Sequence, residues 1–325
     1  MPQSRTPPAD PGPLGNDCVT LDRCLACGGQ RLRPLALAYL HDGQRFPLVE
    51  CGACGMRFLG VQPSPRALAQ FYDAAYFESE FRCGRTAATS FDEQAFRRET
   101  AGLLDAFAAL GASGRLLDVG CAGGLLLKHA AERGWQAQGV EIAPDAVGHA
   151  RALGLDVFQG DLLAARFPTS RFDLVYLGDV LEHAHDCRAV VDEVARILKP
   201  GGLLYLRGPI TTHSLARSLA LGLYRALGRT LVLPEVPYHL WEFRPRPLRR
   251  LVERAGLRVV RLRQSKIPPG RARGRKSGLE RAMMGAIDTV NLPLTTIFNV
   301  RGDRVVMVAR KPGSVTAAFP AAPSA

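Results

Sequence analysis

The stretch RLLDVGCAGG at residues 115–124 constrains the fold more than any other part of the sequence. Its short apolar run ends abruptly at a glycine, and the helix-forming run LLLKHAAERG follows directly, so the stretch predicts a strand, a tight turn and a helix. In open α/β sheets, ligands bind beyond the carboxyl end of such a strand, where glycines let the backbone come close. The stretch therefore predicts a binding site at the edge of a sheet.

The segments that follow alternate between strand-like and helical patterns. The strand-like segments are RLLDVG, QAQGVE, DVFQG, FDLVYL and GLLYLRG, separated by helical patterns such as DCRAVVDEVARILKPGG. After an interruption at 209–244, the alternation resumes with RPLRRLVERAG, LRVVRLR and DRVVMVAR. This order predicts an α/β fold with a doubly wound, mostly parallel sheet of seven strands.

Two CxxC pairs precede the α/β region. Cys24 and Cys27 form the first pair, Cys51 and Cys54 form the second, and a glycine follows each pair directly. Four thiolates match a closed tetrahedral structural zinc site, and the 23 residues between the pairs have room for a hairpin of RPLALAYL with RFPLVE. Redox chemistry is disfavoured because neither pair opens a helix after a strand. We predict a zinc ribbon, with two exposed dithiols as the alternative.

Charge and cysteine usage bound the partners and the compartment. The net charge of +12 comes almost entirely from arginine, and the abundance of Ala, Gly and Pro beside only five lysines also fits a GC-rich coding bias. The charge by itself therefore does not select nucleic acid, membrane or phosphorylated substrates as partners. Clustered CxxC pairs without a disulfide framework, and an N-terminal stretch without an apolar run, favour a reducing cytoplasm.

These patterns together predict the domain organisation. We expect tails at 1–20 and 313–325, a zinc ribbon at 21–60, a helical linker or cap at 61–110, and the α/β domain at 111–312 with a lid insertion at 209–244.

Acidic residues fall at successive strand ends. The set comprises Asp118 with Gly120 after the first strand, Glu141 after the second, Asp161 after the third and Asp179 after the fourth. An acid after the second strand can hold both hydroxyls of a ribose, and one after the third can receive an adenine amino group. A nicotinamide site is excluded because Ala122 and Leu125 stand where its fingerprint needs glycine. The sequence predicts an adenosine-shaped site.

Five motifs follow one another along the chain: LLDVGCAGG, GVEIAP, QGD, FDLVYLGDVLEHAHD and ILKPGGLLYL. Because of these motifs and their order, residues 95–311 resemble the class I S-adenosylmethionine-dependent methyltransferases. The cysteine pairs, FYDAAYF and HLWEFRPRPLRRLVERAG resemble the zinc-ribbon-bearing subgroup often found among bacterial polysaccharide and secondary-metabolite genes. Ala122 departs from the family, whose loop usually has its central glycine there. The resemblance implies a Rossmann-like sheet that binds S-adenosylmethionine through Asp118, Gly120, Cys121, Gly124, Glu141, Ile142, Asp161, Leu162, Gly178 and Asp179.

The stretch GDVLEHAHD follows the fourth strand, where a methyl acceptor should meet the cofactor. It resembles the acid-x-x-Glu-His of ubiquinone-biosynthesis O-methyltransferases and of small-RNA 2′-O-methyltransferases, which in the latter helps to bind magnesium. His239 in YHLWEF resembles a histidine of the quinone enzymes. We predict His183 as the leading base, with Glu182 beside it and His239 as its rival, because imidazole can accept a proton near neutral pH. Structural roles are the alternative for both histidines, and bound Mg²⁺ is kept as a less favoured alternative.

The interruption carries an amphipathic pattern, SLARSLALGLYRALGR. One helical face collects Ser214, Arg217, Ser218, Arg225 and Arg229, and the other faces collect most of Leu215, Leu219, Leu223 and Leu227. We favour a lid over the acceptor pocket, because insertions at this point commonly build substrate sites. Peripheral membrane contact through 214–229 is the less favoured alternative.

The function predicted from the sequence is O-methylation of a small molecule or a sugar or glycan precursor. An RNA methyltransferase is the first alternative, since some ribosomal RNA guanine enzymes pair a zinc module with this core. The sequence has no basic-aromatic signature for nucleic acid, and LGDVLEH replaces the Asn-Pro-Pro-Tyr type of loop. A non-catalytic zinc-bearing scaffold is the second alternative, and the acids at all four strand ends argue against it. The sequence does not define the oligomeric state.

Overall fold

The computed structural model describes residues 17–71, 93–266, 289 and 291–313. The strands are β1 (Cys18–Thr20), β2 (Leu32–His41), β3 (Gln44–Cys51), β4 (Arg57–Leu59), β5 (Val61–Pro63), β6 (Arg115–Val119), β7 (Gln136–Glu141), β8 (Val157–Gln159), β9 (Phe172–Gly178), β10 (Leu198–Pro209), β11 (Leu231–Leu233), β12 (Trp241–Glu242), β13 (Arg258–Ser265) and β14 (Arg304–Arg310). The helices are α1 (Pro65–Gln70), α2 (Glu93–Ala109), α3 (Leu125–Glu132), α4 (Pro144–Ala152), α5 (Cys187–Ile197), α6 (Leu215–Ala226) and α7 (Pro245–Arg254).

A seven-stranded sheet forms the centre of the α/β region, in the order β13-β14-β10-β9-β6-β7-β8. Strand β14 runs antiparallel to both of its neighbours, and the pairs from β10 to β8 are all parallel. In β9, five of the seven residues are buried, the near-continuous burial typical of a parallel strand covered on both faces. The predicted doubly wound, mostly parallel sheet is confirmed.

Helices cover this sheet on both sides. Helix α5 begins at Asp186, whose carboxylate accepts hydrogen bonds from the amides of Arg188 and Ala189, the usual pattern of an N-cap. Its apolar stripe is fully buried, whereas α2 contributes Phe107, whose ring meets Tyr205 with centroids 5.0 Å apart. The carboxyl ends of the parallel strands are thereby left open between the two helical layers.

A second sheet of five strands, in the order β11-β2-β3-β4-β12, carries the cysteine pairs. The antiparallel β2–β3 pair at its centre is the hairpin of RPLALAYL with RFPLVE. Its outer strands β11 and β12 come from the interruption at 209–244, and they pair with β2 and β4. The interruption therefore extends the sheet of the ribbon.

Buried polar contacts join the ribbon to the interruption. Tyr39 on β2 donates a hydrogen bond to Glu242, whose other carboxylate oxygen accepts one from the hydroxyl of Thr211 at 3.0 Å. Trp241 is buried beside Phe58, with ring centroids 5.2 Å apart. The ribbon and the interruption thus share one packed interior.

An ion-pair network reinforces this junction. The carboxylate of Glu50 on β3 accepts from Arg57 at 2.8 Å and pairs with Arg244 at 3.1 Å. The Arg244 guanidinium also donates to the carbonyl of Gly55 at 2.5 Å, and Arg57 donates to the carbonyl of Thr212 at 3.2 Å. Since Arg244 directly precedes α7, these bonds fix the ribbon to the α/β region.

Some sequence-based expectations fall on other parts of the chain. Most of the two tails, at 1–16 and 314–325, and most of FYDAAYF lie outside the described residues. Among the helices of the described part, none has both the length and the apolar composition needed to cross a membrane.

Candidate active site

The loop after β6 runs close to the loop after β9. Gly120 has φ +72°, and a Cβ at this position would lie 2.4 Å from a methyl of Val180. Gly124 has φ +79° and caps α3. Ala122 also adopts a left-handed conformation, φ +48°, which costs a non-glycine residue about 1–2 kcal/mol. Ala122 thus adopts a left-handed conformation that glycine, the usual residue of the family at this position, would adopt without this cost.

Glu141 fixes this loop from the end of β7. Its two carboxylate oxygens accept hydrogen bonds from the amides of Ala122 and Ala143, each at 2.9 Å. Burial raises the pKa of the Glu141 carboxyl. A carboxylate oxygen can accept more than one hydrogen bond, so both oxygens keep acceptor capacity for a ribose diol. Ile142, which follows directly, leaves 44% of its surface exposed and offers an apolar face to an adenine ring.

Other predicted cofactor residues lie beneath the loop. Asp118 is buried at the end of β6, and burial, with the charge of Glu141, raises the pKa of its carboxyl well above the usual range. Cys121 and Leu162 are also buried, and a Cβ at Gly178 would meet the Tyr176 ring. Asp161 is exposed, and its Oδ1 accepts from the amide of Ala164 at 2.7 Å.

Asp179, after β9, is held by arginines that sequence reasoning missed. One guanidinium nitrogen of Arg304 lies 2.6 Å from both carboxylate oxygens of Asp179, whose backbone φ is +58°. Arg207 lies 3.9 Å from the same carboxylate and 2.5 Å from Glu99. The sequence did offer a signal for Arg207, because it is the one charged residue in the apolar run LLYLRG and therefore needs a charged partner. No comparable signal existed for Arg304, which reaches Asp179 only through the pairing of β14 with β10.

Glu182, His183 and His239 come together beside Asp179, although His239 is far away in the chain. The ring centroids of His183 and His239 lie 4.8 Å apart, and one ligand-capable atom from each of the three residues lies within 4.8 Å of the others. Nδ1 of His183 lies 3.0 Å from the carbonyl oxygen of Tyr238. A carbonyl only accepts, so Nδ1 carries the proton in neutral His183 and the lone pair is on Nε2, 4.0 Å from Glu182 Oε1.

Burial controls the protonation of this cluster. It lowers the pKa of His183 to about 3, assisted by the nearby His239, and lowers the pKa of His239 to about 4. Burial also raises the pKa of Glu182 well above its usual range, with the charge of Asp179 adding to the effect. Both imidazoles are therefore neutral at pH 7, and each has a nitrogen that can accept a proton or bind a metal ion.

The ribbon supports this cluster through hydrogen bonds to its backbone. The amide of Leu59 on β4 donates to the carbonyl of Leu240 at 3.0 Å, next to His239. The indole N–H of Trp241 donates to the carbonyl of Ala184 at 2.6 Å, next to His183. His185 is turned towards β5, the strand that follows the ribbon, with Nε2 3.0 Å from the carbonyl oxygen of Pro63. Both candidate histidines are thus adjacent to backbone held by the ribbon.

The four ribbon cysteines form a compact thiol cluster. Sγ of Cys24 lies 3.7 Å from that of Cys54, Sγ of Cys27 lies 3.6 Å from that of Cys51, and all four lie within 4.8 Å of one another. Tetrahedral zinc with Zn–S bonds of about 2.3 Å needs sulfurs about 3.8 Å apart. The amide of Gly29 donates to Cys27 Sγ at 3.4 Å. The donor set and its spacing fit one zinc ion.

A family model described as a methyltransferase domain matches residues 91–262. Among curated proteins, a ubiquinone biosynthesis O-methyltransferase of Xanthomonas oryzae pv. oryzae strain PXO99A is 34% identical over 175 residues, covering 51% of this chain and 72% of that protein. A protein of the same name from Xylella fastidiosa strain 9a5c is 33% identical over 174 residues, covering 50% of this chain and 68% of that protein.

Solved structures share the fold at lower identity. The crystal structure of the [4+2]-cyclase SpnF matches with a TM-score of 0.52 and 19% identity, covering 78% of this chain and 98% of that chain. At this identity the similarity describes the architecture of the sheet and its helices, and the chemistry has to be argued from the site.

Proposed function

The chain belongs to the class I S-adenosylmethionine-dependent methyltransferases, and from that premise we propose that it methylates a hydroxyl group of a small molecule or of a sugar or glycan precursor. The observation that carries the proposal is the pair His183 and His239, which is neutral at pH 7 and lies beside the loop after β9. A hydroxyl must lose its proton during methylation, and the unprotonated nitrogen of either ring can accept it. The lowered pKa values of about 3 and 4 make both rings weaker bases than the free imidazole that the sequence suggested, so the support for this role is their position at the site. The similarity to proteins named O-methyltransferases supports the same acceptor atom.

S-adenosylmethionine supplies a methyl group that is already electrophilic on its sulfonium. The work of the chain is to bind the nucleoside, orient the acceptor and exclude water. Glu141 would accept the ribose hydroxyls, Ile142 would contact the adenine ring, and the exposed Asp161 would receive the adenine amino group. Correct alignment of the acceptor contributes on the order of 7–11 kcal/mol to such reactions.

His183 is the leading candidate for the base. The bond between its Nδ1 and the carbonyl of Tyr238 fixes the tautomer, so the proton of the acceptor hydroxyl goes to Nε2. His239 lies against the same ring and is the alternative acceptor of the proton. Glu182 is buried beside them, with a raised carboxyl pKa, and its backbone carbonyl accepts a hydrogen bond from the amide of Leu240, next to His239.

The test uses the full chain, labelled S-adenosylmethionine and a panel of phenols, sugars, nucleotide sugars and RNA. His183→Ala is expected to lower turnover by roughly 10²- to 10⁴-fold and to leave cofactor binding by calorimetry nearly unchanged. His185→Ala is the matched control because the ring of His185 contacts the backbone of β5 rather than the histidine pair. Normal turnover in His183→Ala with a collapse in His239→Ala transfers the role to His239. Exclusive methylation of RNA would overturn the proposed acceptor class.

The same three residues favour a second mode of action, a divalent cation held by Glu182, His183 and His239. Glu182 Oε1 is buried with no hydrogen-bond partner among the described residues, and a metal ion would satisfy it. Such an ion would orient and polarise an acceptor hydroxyl. Two imidazole nitrogens suit zinc, copper, iron or nickel better than magnesium. Elemental analysis of the parent and of His239→Ala tests this mode. A metal ion in the parent in addition to the zinc of the ribbon, and its loss from His239→Ala, would support it.

We also propose that Cys24, Cys27, Cys51 and Cys54 hold one structural zinc ion, on the basis of the spacing of their sulfurs. All four positions are filled by the chain, so this ion would stabilise the ribbon and take no part in the reaction.

A further inference from the structure

Helix α6 turns its apolar side away from the protein. Leu219, Leu223 and Leu227 are each 58–59% exposed, and α6 has no buried residue. Their spacing of four places them along one face of the helix. Arg217, on the opposite side, is half-buried. This arrangement reverses the usual orientation of an amphipathic surface helix, whose apolar stripe faces the core.

A second exposed apolar segment lies beside α6. Ile297 is 73% exposed and Phe298 is 66% exposed, although both are large apolar residues. The guanidinium of Arg301 donates a hydrogen bond to the hydroxyl of Ser218 at 3.0 Å, which brings this segment against the helix. We call the surface of Leu219, Leu223, Leu227, Ile297, Phe298 and Val300 the apolar face. Large apolar side chains exposed on two adjacent segments in this way are typical of interaction sites.

The charged side chains within the two segments that carry the apolar face all have one sign. Residues 214–230 and 289–302 contain four arginines and no aspartate or glutamate. Three of these, Arg225, Arg229 and Arg301, are exposed. A partner that covers the apolar face must therefore accept its apolar side chains and also positive charges, which come from the neighbouring face of α6 and from Arg301.

We propose that the apolar face docks on an anionic lipid bilayer. The leucines and Phe298 would enter the boundary between headgroups and acyl chains, and the arginines would contact lipid phosphates. A second copy of this chain fits less well, because a two-fold interface would bring the arginines of both copies together. This docking depends neither on the identity of the acceptor nor on which histidine is the base.

The position of the apolar face relates it to the active site. Its two segments follow β10 and precede β14, and the amide of Ile210 donates to the carbonyl of Asp303 at 2.7 Å where they meet. Arg304, the next residue, holds Asp179. The apolar face therefore lies at the sheet edge that carries Asp179, and docking would bring that edge close to the bilayer.

The experiment measures sedimentation of the full chain with vesicles of phosphatidylcholine alone and with about 30% phosphatidylglycerol, an anionic fraction that produces a negative surface potential. The parent is expected to bind the anionic vesicles and to dissociate as salt is raised. Replacing Leu219, Leu223 and Leu227 together by serine is expected to weaken partitioning by at least about tenfold. Arg225→Gln with Arg229→Gln is expected to weaken it by roughly fivefold per arginine.

Matched controls are Leu153→Ser, an exposed leucine directly after α4, and Arg254→Gln, an exposed arginine on α7, which are expected to bind as the parent does. Circular dichroism and calorimetry with S-adenosylmethionine verify that each variant is folded. Failure of the parent to bind anionic vesicles at low salt overturns the proposal. A parent dimer in light scattering that becomes monomeric in the triple serine variant also overturns it, in favour of an interface between copies.

Discussion

The backbone amide of Leu240 donates a 2.8 Å hydrogen bond to the carbonyl of Glu182. The carbonyl of Leu240 in turn accepts from Leu59 on β4 of the ribbon. A continuous backbone path thus connects a ribbon strand, the segment that carries His239 and the turn that carries His183. Since each bond orders the next segment, we infer that the geometry of the histidine pair depends on a folded ribbon.

The first prediction follows from this path. Cys51→Ser, or removal of zinc by a chelator, is expected to unfold the ribbon, because structural zinc contributes on the order of 10 kcal/mol of apparent binding free energy. Turnover is expected to collapse, whereas affinity for S-adenosylmethionine should fall much less, since Glu141 lies in the other sheet. Elemental analysis, thermal melting and calorimetry measure the three effects.

Cys18→Ser is the control for this prediction, because Cys18 lies on β1 outside the cluster of four sulfurs. Retention of full turnover by a zinc-free Cys51→Ser protein would show that the ribbon and the histidine pair are independent.

The central sheet was predictable from the sequence because β6, β9 and β10 carry continuous apolar runs and because clear helical patterns separate the strands. Strands β11 and β12 were not, since they are only three and two residues long and form by pairing with the ribbon. Strand formation of this kind depends on the neighbouring strand more than on local propensity. The pairing also places the interruption on the ribbon sheet, a location that its helical periodicity could not indicate.

The residues of the site that lie at the strand ends were predictable from the sequence. The contacts between residues far apart in the chain were much less so. Acids after successive parallel strands meet at one sheet edge by topology, so Glu141 and Asp179 could be placed from the sequence. The approach of Arg304 to Asp179 depends on the register of an antiparallel strand 125 residues away. The amphipathic pattern of α6 was visible, but which side would face solvent depends on what the helix packs against.

A second prediction concerns Trp241, which is buried at the junction of ribbon and active site. Trp241→Phe keeps an aromatic ring against Phe58 and removes the indole hydrogen bond to the carbonyl of Ala184. Loss of a buried partner is expected to reduce the free energy of unfolding by about 1–3 kcal/mol. Urea denaturation gives the value, and Trp135→Phe is the control on the other side of the α/β region. Equal effects in both variants would contradict the role of this bond.

A third prediction concerns the cofactor. Glu141→Ala is expected to weaken binding of S-adenosylmethionine by roughly 1.5–3 kcal/mol, since hydrogen bonds to a charged acceptor contribute about that much. The variant also frees the amides of Ala122 and Ala143, so the loop after β6 loses its support. Calorimetry measures the change, with Asp145→Ala, an exposed acid on α4, as the control. Parent-like affinity in Glu141→Ala would show that the cofactor binds elsewhere.

The last prediction concerns His213, which is expected to contribute to a loss of folding stability as the pH falls. Burial lowers the pKa of His213 to about 4, and the positive charges of Arg301, Arg244 and Arg57 act in the same direction. In the unfolded chain the pKa is about 6.5, so between these values the unfolded state binds more protons and the folded state is disfavoured. Stability from this group is fully present above pH 6.5 and declines as the pH falls towards 4.

Thermal melting of the parent and of His213→Gln at pH 7.5, 6.5, 5.5 and 5.0, a series chosen to span about that window, should show a smaller decline in the variant. Arg301→Gln should also reduce the decline, because it removes one of the charges that oppose protonation. Identical pH dependence in all three proteins would mean that His213 is protonated as readily in the folded chain as in the unfolded one.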